Sequence, residues 1–123
     1  MGQFEVTGSA KGVSFNLLAA NGQVVATSQV YKSMRSAKLG IASVSRNAPI
    51  AEIEDQTEAG FAKKSMPKFE VYTDKAGKTR FRLKAKNGQI IAVGEAYETH
   101  KACIAGVESV KKNAVDAPIE MTE

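Results

Sequence analysis

Apolar residues fall at every second position through much of "FNLLAANGQVVATSQVYKS" (15–33), and the alternation is interrupted once, at Asn21-Gly22. Period-two patterning on both sides of an Asn-Gly pair predicts a β-hairpin closed by a type I′ turn, which needs positive φ at both central residues. A two-residue turn sets Leu17 opposite Ala26 and Ala19 opposite Val24. A short strand, "FEV" (4–6), precedes the hairpin. After it the period changes: Met34, Ala37, Ile41, Val44 and Ala48 recur at steps of three and four, which puts them on one face of a helix. Ser33 is placed to cap the start, and Asn47 tolerates the left-handed position just past the end. Pro49 stops the helix, and "IAEIED" reads as a short final strand.

The same order then returns. "FRLKAKNGQIIAVGEAYET" (81–99) aligns with 15–33 at an offset of 66 without a gap, and sixteen of forty-three positions are identical between 13–55 and 79–121. "FEV" (69–71) joins at offset 65. Asn87-Gly88 repeats the turn, with Leu83 facing Ala92 and Ala85 facing Ile90. Thr99 opens a second helix with the stripe His100, Cys103, Val107, Val110, Ala114, closing near Asn113, and "DAPIEM" is its last strand. One β-β-β-α-β unit cannot bury both sides of its sheet, whereas two side by side can share a core. The expected class is therefore α+β: two tandem β-β-β-α-β repeats forming one antiparallel sheet with both helices on one face. Residues 1–123 form a single domain on this view, with repeat one at 3–56, a polar linker at 57–67 and repeat two at 68–122. The chain is expected to be a monomer, as an internal pseudo-dimer.

These residues resemble the YegP-like family of small bacterial and archaeal proteins, whose units carry an F-x-L-x-A-x-NG hairpin, a tyrosine and a G-I-x-S-V-x-x-N-A helix. The match here is "FNLLAANGQVVA", Tyr31 and "GIASVSRNA" in unit one, and "FRLKAKNGQIIA", Tyr97 and "GVESVKKNA" in unit two. The resemblance implies β-β-β-α-β units assembled into one sheet, with the final strand of each unit exchanged into its neighbour. It implies no activity. Unit two departs from the pattern at Met121, where unit one has Asp55.

Charge refines this picture. The net charge is +4, and residues 1–60 hold five Lys/Arg against five Asp/Glu, so the whole excess lies in the second half. Much of it is a stripe, Arg80, Arg82, Lys84 and Lys86, whose counterparts in unit one are Ser14, Asn16, Leu18 and Ala20. The intervening positions, Phe15/Phe81, Leu17/Leu83 and Ala19/Ala85, are identical. The inward set is thus fixed by folding and the outward set is free. An open basic sheet face, with Tyr72 beside it, permits weak, salt-sensitive binding of RNA or single-stranded DNA. The alternative is a protein–protein module using outward apolar residues such as Leu18, Val25, Ile91 and Val93.

Catalytic chemistry has less support. No phosphate-binding loop, dinucleotide fingerprint, zinc spacing or Ser-His-Asp grouping occurs, and no cofactor or metal is expected. His100 and Cys103 stand at i and i+3, where a thiolate pair could form, but their counterparts are Met34 and Ala37, so packing is the expectation. Glu52, Glu54 and Asp55 form a small acidic run read as surface. Tyr31 and Tyr97 are expected to have buried rings and hydroxyls meeting polar partners. Gly40 and Gly106, mid-helix in both units, predict a close approach, of the helix to a tyrosine ring or to the other helix. The single cysteine excludes an internal disulfide, and with no signal-peptide core in "MGQFEVTGSA" and no long apolar run, a cytoplasmic, non-membrane location is expected.

Overall fold

A computed structural model describes residues 2–122. In chain order it contains β1 (Gln3–Ser9), β2 (Gly12–Leu18), β3 (Val24–Thr27), α1 (Met34–Asn47), β4 (Glu52–Asp55), β5 (Lys68–Thr73), β6 (Thr79–Lys84), β7 (Ile90–Val93), α2 (His100–Asn113) and β8 (Ile119–Thr122). The strands form one sheet in the order β4-β5-β6-β7-β3-β2-β1-β8. Each unit's final strand is therefore exchanged: β4 of the first unit pairs with β5 of the second, and β8 pairs with β1.

Both exchanged pairs are parallel, so the sheet is mixed rather than antiparallel throughout. Hairpins force their strands to run in opposite directions; a strand delivered across a helix is under no such constraint. The two halves meet at a single bridge, Thr27 with Val93.

The turns differ from the type I′ expectation. Only the glycines take positive φ, +86° at Gly22 and +85° at Gly88, while the positive-φ non-glycine residue among those described is Asp116. The Gly22 N–H donates to Ala19 O and the Ala19 N–H to Gln23 O, which closes a three-residue loop with a glycine bulge. Asn21 Oδ1 accepts from the Gln23 N–H at 3.0 Å, and Asn87 does the same for Gln89. Leu18, not Ala19, then lies opposite Val24, and Lys84 opposite Ile90, while Leu17 still faces Ala26 and Leu83 Ala92; the shift leaves Val25 and Ile91 without a direct partner, each in a strand bulge. It also turns Val25 and Ile91 into the core. Two members of the expected outward apolar patch are thus buried, leaving Leu18 and Val93 half-buried on that face.

Both helices lie on one face, and each straddles the two units: α1 packs on β2 and β7, α2 on β6 and β3. Ser33 and Thr99 cap them, accepting from the N–H groups of Ser36 and Ala102. Asn47 and Asn113 stay helical rather than left-handed, because each side-chain amide donates to the carbonyl four residues back, Ser43 or Ser109, at 2.8 Å. Phe15 sits edge-on to Phe4 and stacks on Tyr31, and Phe81 repeats this with Phe69 and Tyr97. The close approach at the helical glycines is to a tyrosine: a Cβ on Gly40 would lie 2.3 Å from the Tyr31 hydroxyl, and one on Gly106 the same distance from that of Tyr97. Burial raises both phenol pKa values. Among the described residues, no helix is long and apolar enough to cross a membrane.

Candidate functional site

On the helix-free face, β-sheet register sets side chains in a continuous row: Glu5, Asn16, Thr27, Val93, Arg82, Glu70, Glu54. Three of the four predicted cations stand here, and all three are paired. Arg80 Nε lies 2.7 Å from Asp74 Oδ2. Arg82 Nε is 2.6 Å from Glu70 Oε1, with Lys84 Nζ 3.2 Å from the other oxygen. The Arg82 guanidinium also sits 4.6 Å over the Tyr72 ring. Lys86 is the exception, being exposed in the turn beyond β6, where it lines a depression beside α1 on the other side of the sheet. The stripe is thus a set of ion pairs rather than a field of free positive charge.

The network continues into a buried part. Lys68 Nζ bridges Glu70 at 3.4 Å and Glu54 at 2.8 Å, and all three residues are less than a tenth exposed. The cover is the 56–67 segment. Because β4 and β5 are parallel, the chain must run back along the sheet to start β5, and it does so across this face. The Lys64 N–H and Gln56 side chain donate to Glu54 on the way. One end of the helix-free face is therefore not open: the polar linker crosses it as a strap tied to Glu54, with residues 58–63 on its outside exposed. Burial works to raise the Glu54 pKa, but the bonds from Lys68, Gln56 and Lys64 outweigh it and hold it at about 2. Glu70 is likewise lowered against its burial by Arg82 and Lys84. Glu54 is thus a structural carboxylate and not surface charge.

His100 departs from the packing expectation. Its side chain is about half exposed, and Nε2 lies 2.6 Å from Asp55 Oδ2, tying exchanged strand β4 to the start of α2. Burial favours the neutral Asp55, yet hydrogen bonds from Thr57 and His100 leave its pKa lowered. The counterparts of this pair are Met34 and Met121, so this hydrogen bond has no equivalent on the other side of the pseudo-dimer. Cys103 is fully buried, and desolvation pushes its thiol up to about 11, which disfavours a thiolate. Among the described residues no group of three or more His, Cys, Asp or Glu could hold a metal. Cavities of about 470, 180 and 210 Å³ lie between hairpin tips and the helices, and none is lined by His100, Cys103 or Asp55.

Sequence reasoning missed Glu70, Asp74 and Lys68. The signal was present, since alternation across the β5–β6 hairpin places Glu70 beside Arg82, but it needed the turn register.

Comparison with known proteins agrees with this architecture. A domain of unknown function, DUF1508, matches twice, at residues 9–55 and 74–120. The YegP protein of Yersinia pestis is 36% identical over 98% of this chain and 95% of its own length. A Treponema denticola relative is 64% identical over 42% of this chain but 90% of its own length, the size of one unit. The solution structure of yegP from E. coli, a protein of unknown function, superposes with a TM-score of 0.78 at 35% identity, covering 98% of this chain and 92% of that one. With both units matched and the full length aligned, the chain belongs to the UPF0339/YegP family as a tandem pair of DUF1508 units.

Proposed function

We propose that this chain is a non-enzymatic interaction module that docks a protein partner on the uncovered part of its helix-free sheet face. The observation that carries the proposal is the pairing of the stripe: Arg80, Arg82 and Lys84 each already have a carboxylate within 3.2 Å. A polyanion would have to displace those carboxylates. The strands beside them present Ser14, Asn16, Leu18, Thr27 and Val93, a flat, nearly uncharged surface. Flat surfaces of mixed polarity, with charge held at the rim, suit protein contacts. The rim here is Arg82 on one side and, on the other, Glu5 beside Glu120, which have no ion-pair partner among the described residues.

A photo-crosslinking residue at Asn16 or Thr27 tests this in cells. Protein adducts at those positions, suppressed by Val93→Arg and absent when the crosslinker sits at exposed Lys101 on α2, are expected. Adducts to nucleic acid alone, or adducts insensitive to Val93→Arg, would refute it.

Binding of RNA or single-stranded DNA is the second reading, favoured by one observation. The Arg82–Tyr72 stack offers a planar, cationic platform of the kind on which bases lie.

A further inference from the structure

On the opposite side of the sheet, α1 and the tip of the β6–β7 hairpin enclose a groove made of two adjoining depressions, of about 180 and 210 Å³, that share Ser43, Ala85 and Asn87. At one end Leu39 and Ile90 line it while remaining 65% and 42% exposed, unusual for such large apolar side chains. At the other end stand Arg46 and Lys86, with no carboxylate in the lining and no ion-pair partner among the described residues. Between them, Ser43 Oγ accepts from the Asn47 amide, which frees its hydroxyl proton to donate into the groove.

The repeat supplies an internal control, because the pseudo-equivalent groove, between α2 and the β2–β3 hairpin, is built on the same scaffold. There Leu39 is replaced by Ala105, Ile90 by Val24, Lys86 by Ala20 and Ala42 by Glu108, so the large apolar surface is gone and a carboxylate joins Lys112 in the lining. The fold is made equally well with either set of letters. Folding therefore does not explain the apolar-plus-cationic set of the first groove.

We infer that the groove between α1 and the β6–β7 tip docks a short polyproline-II-like segment of a partner protein, one carrying a large apolar side chain and, three residues along, a carboxylate. The spacing follows from the helix. Leu39 and Arg46 are seven residues apart, about 10 Å at the α-helical rise, and one three-residue turn of a polyproline-II chain, about 9 Å, covers that distance with both side chains on the same side. The apolar side chain rests between Leu39 and Ile90, the carboxylate meets Arg46 and Lys86, and the serine hydroxyl meets the segment's backbone. This complementarity of apolar surface and charge selects an acidic–apolar peptide over a bare anion, which would leave Leu39 and Ile90 in water.

The test is a selection from a random-peptide display library on the intact chain, repeated on a variant carrying the other groove's letters: Leu39→Ala, Ala42→Glu, Lys86→Ala and Ile90→Val. Leu39→Ala alone, at an exposed helical site, provides a second variant certain to keep the fold. Enriched peptides should share a large apolar residue with Asp or Glu three positions away and bind the four-letter variant about tenfold or more weakly, a loss of roughly 1.4 kcal/mol. Their amide-shift changes should concentrate at 36–46 and 85–91. Peptides lacking the pattern, equal binding to both variants, or no enrichment would overturn the inference. Shifts confined to the helix-free face would overturn it too, while supporting the docking surface proposed above.

Discussion

Glu54→Gln removes the charge at the centre of the buried network and leaves Lys68, 6% exposed, with Glu70 at 3.4 Å as its remaining partner. Two routes give the size of the loss. Stripping one partner from a buried pair costs about 3–5 kcal/mol, and the surviving contact to Glu70 places this case at the lower end. Independently, a carboxyl held at about 2 instead of its ordinary 4.5 is worth about 3 kcal/mol at neutral pH. Because the folded-state pKa is the lower one, this stability is fully present above about pH 4.5 and is lost as pH falls through about 2. Urea unfolding at pH 7 should therefore show the midpoint falling by about 1.5 M for an m-value of about 2 kcal/mol/M. Adding Lys68→Gln, the letter found at the equivalent Gln3, should cost little more, since no orphaned cation then remains. Between pH 4.5 and 2 the parent should lose more stability than the variant, with Glu70, Asp55 and Asp74 accounting for what slope the variant keeps. A loss below about 1 kcal/mol for Glu54→Gln, or strictly additive effects of the two substitutions, would refute the reasoning.

Gly40→Ala forces a methyl group against the Tyr31 ring and should cost about 2 kcal/mol, seen as a melting temperature several degrees lower. Tyr31→Phe in that background should recover part of it, because the hydroxyl is the nearest atom but Cζ, at 2.8 Å, remains in the way. Gly106→Ala with Tyr97→Phe should behave alike; no recovery in either unit would place the cost on the ring carbons, since alanine is itself the better helix former. Cys103, buried with its thiol pushed up to about 11, should resist iodoacetamide at pH 8 in the native protein and react on addition of urea. Labelling of the native state at the rate of a free cysteine would contradict that burial.

Much of the architecture was legible because repetition separates what folding requires from what it tolerates. Phe15/Phe81, Leu17/Leu83, Tyr31/Tyr97 and Gly40/Gly106 are all core or core-facing contacts. The caps at Ser33 and Thr99 were readable because an N-cap is a local interaction of three residues. What escaped was geometry set by one residue more or less. Asn-Gly specifies a turn without giving its length, and the strand bulge that accompanies the longer loop carried Val25 and Ile91 from the outer face into the core. The strap, at 57–67, looked like a linker because its composition is polar. Its packing depends on β4 being parallel to β5, a consequence of strand exchange that no local pattern encodes. His100 was misplaced for the same reason: its partner, Asp55, arrives on the strand exchanged from the other unit.

The docking proposal rests most directly on the stripe being neutralised, and one titration probes that. Binding of a mixed-sequence single-stranded oligonucleotide is followed over a salt series, for the parent and for a variant with Arg80→Ser, Arg82→Asn, Lys84→Leu and Lys86→Ala, the letters of unit one. With Lys86 the one stripe cation lacking a carboxylate partner among the described residues, the log–log slope should be no steeper than about −1, and the variant should scarcely differ. A slope near −3 in the parent, as about four phosphate contacts give, abolished in the variant, would show that nucleic acid pulls the arginines from Glu70 and Asp74 and would contradict the account.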